Sequence, residues 1–254
     1  MQDPHQFSDR HRGVAATETA LRRILFWGPV PVLLAWCVLV FNEATYPIVS
    51  RGFRQAREYT VIEMVTAFGF VFAFVLGLWL AYRHARASGL GLAVVYWALF
   101  ALVAALAALE ETQWGQPILG YEIPEWMLEV NRQGEFTLHN VEGLQGRSEW
   151  FYLVFVVAAG LLTLPRVPVL PGRIWTDIRA DPTLVPLLLC VLVTTLMKVF
   201  QGAFDPESVA FDAIRWTTEW TEGFIAIWGV GYAALHILAW RRAPPDRTAG
   251  RGAA

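Results

Sequence analysis

Residues 61–82 read VIEMVTAFGFVFAFVLGLWLAY, a run in which Glu63 is the only charged side chain. A helix that crosses the roughly 30 Å hydrocarbon core of a bilayer needs about 20 such residues. Backbone amides and carbonyls have no partners in hydrocarbon, so they must pair within the segment, and a run of this length has to be helical. Residues 61–82 therefore predict a transmembrane helix.

The rest of the chain repeats this pattern. Apolar residues make up 56% of it and charged residues only 17%, against about 25% charged residues in soluble proteins. Five further apolar runs cover residues 24–41, 92–109, 150–164, 183–200 and about 222–240. The sequence therefore predicts an all-α fold, a polytopic integral membrane helix bundle with six transmembrane helices. No basic patch of the kind that binds nucleic acid is present.

The domain organisation that follows is simple. Residues 21–242 form one transmembrane domain, and the polar segments 1–20 and 243–254 are expected to be disordered cytoplasmic tails. Thirteen arginines lie on the membrane side that holds the two termini, and six lie on the opposite side. Because positive residues favour the cytoplasmic side, both termini are predicted to be cytoplasmic. Three arginines of the first outer loop oppose this trend: Arg51, Arg54 and Arg57.

Acidic residues gather on the side that this orientation makes the outer one. Glu63 lies one turn inside the second predicted helix, Glu110 and Glu111 end the third, and Glu222 with Glu219 begins the sixth. Helices of alternating direction bring these residues to one depth, and ionisable groups in a bilayer usually pair or line a cavity. We therefore predict a polar site at the outer face with Glu63, Glu110, Glu111 and Glu222 as candidate catalytic residues.

An ordinary explanation of the same residues stays open. Charged side chains belong at helix ends, where their long stems reach water. Lys198, at the end of the fifth predicted helix, suits the role of a counter-ion that lets one carboxylate stay charged in a purely structural network.

The segment 110–148 connects the third and fourth predicted helices. Its first part reads EETQWGQPILGYEIPEWMLEVNRQGEFTLHNVE over residues 110–142. Pro117 and Pro124 interrupt a stretch that is too apolar for a solvated loop. The pattern predicts a re-entrant or interfacial element.

Glu135 and His139 in this segment are four residues apart, which places them on one face of a helical turn. A carboxylate and an imidazole at this spacing suit a general acid–base pair or a metal site. Both residues therefore join the candidate catalytic set, and a divalent metal held by Glu111, Glu135 and His139 is one hypothesis. A hydrogen-bonded pair at a helix end is the other.

This segment also resembles a known family. Its pattern is similar to that of a group of bacterial polytopic membrane proteins to which no activity is assigned. The resemblance rests on Glu110, Glu111, Trp114, Gly115, Gln116, Pro124, Glu125, Asn131, Gln133, Glu135, His139 and Asn140. Pro117 stands where the pattern has a basic residue. The resemblance implies that the segment forms a unit with the glutamate-bearing helices of a bacterial inner-membrane protein, and it implies no particular reaction.

Three functions fit these observations. The first is a membrane enzyme that acts on a lipid or an isoprenoid by acid–base or metal-assisted chemistry. The second is an accessory subunit whose polar network only fixes helix packing. The third is a cation-binding transporter, which the acidic face favours and the lack of an internal repeat disfavours. The predicted partners are the lipid bilayer and, for an enzyme, a lipid or isoprenoid substrate, and the sequence does not identify a protein partner.

Overall fold

The computed structural model describes residues 4–56, 60–131, 137, 141, 147–167 and 171–242. Within these ranges the regular elements are helices, and the one β feature is an isolated bridge between Asn131 and Val141. The helices are α1 (Pro4–Trp27), α2 (Pro29–Phe41), α3 (Tyr46–Ala56), α4 (Val61–Ser88), α5 (Leu92–Glu111), α6 (Gln116–Leu119), α7 (Glu125–Val130), α8 (Ser148–Leu162), α9 (Gly172–Ile178), α10 (Val185–Val199) and α11 (Val209–Arg242). Short 3-10 turns occur at Gln113–Gly115, Pro182–Leu184 and Gln201–Ala203.

Five segments of the described chain are long and apolar enough to cross a membrane. They are Gly13–Phe41, Val61–Ser88, Leu92–Glu111, Pro182–Val199 and Val209–Arg242. The remaining predicted segment, residues 150–164, corresponds to α8, an apolar helix of 15 residues, or about 22 Å. The prediction of an all-α polytopic membrane bundle is confirmed, with five long helices and one short helix.

Helix α11 is the centre of the bundle. It packs against α4, α10, α2 and α1, while α4 and α5 form a closely packed antiparallel hairpin. Aromatic residues of α11 fill the middle of the core, with Tyr232 stacked between Trp97 and Trp228. All three of these rings are at most 3% exposed. Large lipid-facing residues cover the outside of α4 and α5 instead, including Phe68, Phe72 and Leu102.

Small residues let α4 approach α11 closely. A Cβ atom built on Gly69 would lie 2.9 Å from the Cβ of Ala226, and one built on Gly229 would lie 3.3 Å from the Cβ of Ala73. Small residues at helix contacts are the usual means of close packing in membranes. The contact fixes the register of α4 on α11, and thereby the relative height of the polar residues above it.

Two helix boundaries differ from those predicted. The last helix begins at Val209, not near residue 222, because its polar first turns still bury one face through Ala213, Ile214 and Thr217. The first helix begins at Pro4 inside the expected tail, where alanines favour helix formation and Glu18 is 4% exposed. Residues 243–254 lie outside the described chain.

An ion network explains the burial of Glu18. Arg22 Nη2 contacts Glu18 Oε1 at 2.9 Å, Arg242 Nε contacts Glu18 Oε2 at 2.9 Å, and Arg22 also pairs with Asp181. Burial alone would raise the pKa of Asp181. Hydrogen bonds from the Thr183 hydroxyl and backbone N–H, together with the charge of Arg22, outweigh it and lower this pKa below its ordinary value. The network joins α1 to the start of the Pro182–Val199 segment and to the end of α11.

Candidate functional site

Three helices carry glutamates at similar depth. Glu63 lies 20 residues from Arg83, Glu111 lies 19 residues from Leu92, and Glu222 lies 20 residues before Arg242. At 1.5 Å per residue each interval spans about 30 Å, which is the thickness of the hydrocarbon core. Each glutamate therefore lies about one hydrocarbon thickness from a residue at or near the opposite end of its helix.

A hydrogen-bonded chain joins three of the helices at this depth. The carboxyl groups of Glu111 and Glu222 lie close enough together to act on each other, and the Tyr152 hydroxyl donates a hydrogen bond to Glu222 Oε1. Ser148 lies one turn before Tyr152 in α8, on the same face of the helix. An ionised carboxylate only accepts hydrogen bonds, so a bond between two carboxyl groups requires that one of them carries a proton. A proton shared by Glu111 and Glu222 would lie between α5 and α11, beside the Tyr152 hydroxyl.

Further charges surround this pair. The side chains of Glu63 and Glu219 lie near enough to Glu111 to act on it electrostatically. Lys198 and Arg215 act in the same way on Glu219 and supply positive charge. Lys198 also donates a hydrogen bond of 3.2 Å to Gln201 Oε1. The counter-ion role of Lys198 stays a prediction.

Glu63 caps the start of α4. Its Oε2 accepts a hydrogen bond of 2.7 Å from the backbone N–H of Thr60, and its own N–H donates to Thr60 Oγ1 at 3.2 Å. This reciprocal arrangement is a capping box, which satisfies two of the free N–H groups at the start of α4. One carboxylate oxygen of Glu63 is therefore committed to the helix end.

Glu110 points to a different partner from that of Glu111. Its Oε1 accepts a hydrogen bond of 2.6 Å from the Trp114 indole. A turn with left-handed backbone at Gln113 (φ 48°) and Trp114 (φ 56°) brings the indole back to α5. The structure therefore places Glu110 in the anchoring of the following turn, whereas Glu111 faces Glu222.

Segment 110–148 continues as two short helices, α6 and α7. Met127 on α7 is 1% exposed, while Trp126 on the same helix is 60% exposed. Beyond α7, Asn131 Nδ2 donates to the Thr137 carbonyl at 2.9 Å. Glu135 and His139 lie outside the described residues, so their candidate roles stay predictions. Among the residues that the structure does describe, no group of three His, Cys, Asp or Glu side chains is arranged to hold a metal ion.

Thr66 lies one turn below Glu63 on the same face of α4. Its hydroxyl is buried, with 1% of the residue exposed, and has no hydrogen-bond partner among the described residues. The ideal Cβ position of Gly223 lies 3.3 Å from Thr66 Oγ1. Other buried threonines differ, since Thr221 donates to Thr194 Oγ1 at 2.8 Å. Thr66 is thus an unsatisfied polar group directly beneath the glutamates.

We expect the Thr66→Val variant to be more thermally stable than the wild type. Valine keeps the shape of threonine, and removal of an unpaired buried hydroxyl relieves a desolvation cost of about 1 kcal/mol. Thermal unfolding in detergent measures the change. Thr194→Val is the matched control and should lower stability, because it leaves the Thr221 hydroxyl without its partner. A stability loss in Thr66→Val equal to that of the control would contradict the assignment.

Tyr152 is the residue of this site that sequence reasoning missed. It lies within an apolar run and belongs to no recognised motif. The spacing of four between Ser148 and Tyr152 was the one available signal, because it places two hydroxyl groups on the same face at the polar end of a helix. The Thr60-x-x-Glu63 capping box also has a recognisable sequence signature.

Comparisons with protein families, curated proteins and solved structures found no match for this chain.

Proposed function

We propose that this protein is a membrane enzyme that performs acid–base chemistry on a lipid or an isoprenoid. The proposal rests on the closeness of the Glu111 and Glu222 carboxyl groups, together with the hydrogen bond that the Tyr152 hydroxyl donates to Glu222 Oε1. Two carboxyl groups that share one proton provide a general acid and a general base at the same site. Proton transfer to and from a substrate requires both.

The roles of the two glutamates follow from their contacts. The protonated member of the pair donates its proton to the substrate, and the other carboxylate accepts a proton in return. Tyr152 orients Glu222 through its hydrogen bond. Glu219, with Lys198 and Arg215 near it, adjusts the local charge. Glu63 is a positioning residue, since its carboxylate caps α4.

A membrane-borne substrate is the class that this depth favours. The glutamates lie about one hydrocarbon thickness from residues at or near the inner ends of their helices, so a molecule at the site has its polar group near the bilayer surface. The carboxylates of Glu63, Glu111, Glu219 and Glu222 disfavour a strongly anionic group beside them. The hydroxyl group or double bond of a lipid or an isoprenoid fits this setting.

The proposal also includes the membrane location of the protein and two further site residues. We place the protein in a bacterial inner membrane with both termini in the cytoplasm, on the basis of the arginine distribution. The glutamates then lie at the outer face. Glu135 and His139 belong to the same proposed site, and a divalent metal held with Glu111 is a variant of it.

One observation favours an accessory structural subunit as the second candidate. Glu63 and Glu110 both form local hydrogen bonds that stabilise helix ends. If Glu111 and Glu222 served only the same purpose, the site would fix helix packing and perform no reaction.

Labelling with dicyclohexylcarbodiimide tests the proton-holding pair. This apolar reagent attacks carboxylic acids in their protonated form and partitions into membranes. We expect Glu111 or Glu222 to be modified in vesicles at neutral pH, as read by peptide mass spectrometry. Glu125, an exposed glutamate at the start of α7, serves as the internal control.

The Glu222→Gln variant makes the labelling experiment more specific. Replacement of Glu222 by Gln leaves Glu111 without a second carboxylate with which to share a proton, so the labelling of Glu111 should change strongly. Equal labelling of Glu111, Glu222 and Glu125 would argue against a shared proton, and the structural candidate would then take first place.

A further inference from the structure

The hydroxyl group of Thr66 differs from those of other buried helix threonines. Thr194, Thr195 and Thr217 donate to main-chain carbonyl oxygens three or four residues earlier in their own helices, which is the usual way to satisfy a hydroxyl within a helix. The Thr66 hydroxyl forms no hydrogen bond within the part of the chain that the structure describes, although the residue is only 1% exposed. Its donor and acceptor positions are therefore available to a ligand.

The contact between α4 and α11 places this hydroxyl at the interface of the two helices. Gly69 of α4 lies opposite Ala226 of α11, since a Cβ atom built on Gly69 would lie 2.9 Å from the Cβ of Ala226. One turn closer to the outer ends, Thr66 Oγ1 lies 3.3 Å from the ideal Cβ position of Gly223. The Thr66 hydroxyl thus faces α11 at a position where that helix has no side chain.

The same register brings two carboxyl groups together one turn further outward. Glu63 precedes Thr66 by three residues and Glu219 precedes Gly223 by four, so each lies on the interface side of its helix. Because α4 and α11 run in the same direction, these two turns lie beside each other, and the charges of Glu63 and Glu219 act on each other. The Thr66 hydroxyl and these two carboxyl groups form what we call the α4–α11 site.

The charges around the α4–α11 site favour a positive ligand. Glu111 and Glu222 also act electrostatically on Glu219, and the positive side chains that act on it are those of Lys198 and Arg215. Carboxyl groups are thus in excess, and in a low dielectric they have to be balanced by protons or by a cation. The unpaired hydroxyl distinguishes the two cases, because it supplies a third oxygen ligand and hard cations bind to oxygen.

We propose that Thr66, Glu63 and Glu219 bind an alkali-metal ion between the outer ends of α4 and α11. Two carboxylates and one hydroxyl suit a singly charged ion. A divalent ion is less well matched, since no group of three His, Cys, Asp or Glu side chains among the described residues is arranged to hold a metal ion. The site is separate from the reaction proposed for Glu111 and Glu222, because its cation dependence does not require that reaction.

Thermal unfolding of the full-length protein in detergent tests the site. The protein is compared in NaCl, KCl and choline chloride at constant ionic strength, because choline is too large for close contact with three oxygens. We expect Na⁺ or K⁺ to raise the midpoint temperature of the wild type by roughly 4 °C for each tenfold increase in concentration above the dissociation constant. Thr66→Val and Glu219→Gln should each lose most of this increase.

Thr195→Val is the matched control. It removes a buried hydroxyl that donates to the Val191 carbonyl within α10, so it should keep the full response to the cation. The response of each variant is measured relative to its own midpoint in choline chloride. The higher stability expected of Thr66→Val also applies to choline chloride, in which the wild-type hydroxyl has no ligand.

Four results would overturn the proposal. The first is an equal midpoint temperature of the wild type in all three salts, which would mean that protons alone balance the carboxyl groups. The second is an unchanged response in Thr66→Val or in Glu219→Gln. The third is an equal loss of response in Thr195→Val. The fourth is an increase that MgCl₂ produces and neither NaCl nor KCl does, because it would indicate a site for a divalent ion.

Discussion

Replacing Glu222 by Gln should reduce the turnover of a membrane lipid by about a hundredfold or more, which is the range that a positioned acid–base group contributes. Glutamine keeps the shape of the side chain. Its carbonyl oxygen still accepts from Tyr152, and its amide still donates to Glu111, but it cannot exchange a proton. Lipid extracts of bacteria that overproduce the wild-type chain should contain a product that extracts of the Glu222→Gln cells lack, as measured by mass spectrometry.

Two comparisons make this result specific. Glu125→Gln removes an exposed carboxylate from α7 and should leave the product unchanged. Thermal unfolding of Glu222→Gln should match that of the wild type, so that lost activity is not lost folding. Full activity in Glu222→Gln, with normal expression, would exclude the proposed roles of Glu111 and Glu222.

Replacing Gly69 by Leu should have the largest effect on stability. Even a Cβ atom at this position would lie 2.9 Å from the Cβ of Ala226, and Leu adds three more carbons between two helices that cannot separate without losing their other contacts. We expect a loss of about 3 kcal/mol in the free energy of unfolding, at the upper end of the cost of overpacking. Unfolding in mixed micelles with increasing sodium dodecyl sulfate measures it.

The matched control for Gly69→Leu is Gly160→Leu in α8. Nothing lies within 4 Å of a Cβ atom built on Gly160, so this variant carries the same added side chain without a clash. An equal destabilisation by both substitutions would mean that leucine itself, and not the α4–α11 contact, is responsible.

The apolar helices were the most predictable part of the fold. The predicted starts at residues 61 and 92 coincide with those of α4 and α5, because an apolar run and its polar flank define a membrane-spanning helix directly. The start of α11 was not predictable from hydropathy. Residues 209–221 are too polar to be recognised as a membrane segment, yet they continue the helix because one of their faces is buried.

The sequence was sufficient to predict the membrane depth of the candidate site residues. It was not sufficient to predict the contacts of their side chains. Alternating helix direction was sufficient to bring Glu63, Glu111 and Glu222 to one level. The separate tasks of the neighbouring Glu110 and Glu111 depend on their angular positions on α5, which hydropathy does not encode. The contact of Tyr152 with Glu222 depends on the packing of α8 against α11 in three dimensions, so the Ser148–Tyr152 spacing alone could not predict it.

The ion network at Glu18 sets an order of events during synthesis. Arg242 bonds to the carbonyl of Ala15, which lies 227 positions earlier in the chain, and it also neutralises Glu18. α11 is synthesised after the other helices of the bundle. Until Arg242 has been made, α1 therefore lacks the contact between Arg242 and Glu18. Closure of this ion network therefore follows the synthesis of α11. A chain without Arg242 leaves Glu18 without one of its two arginines.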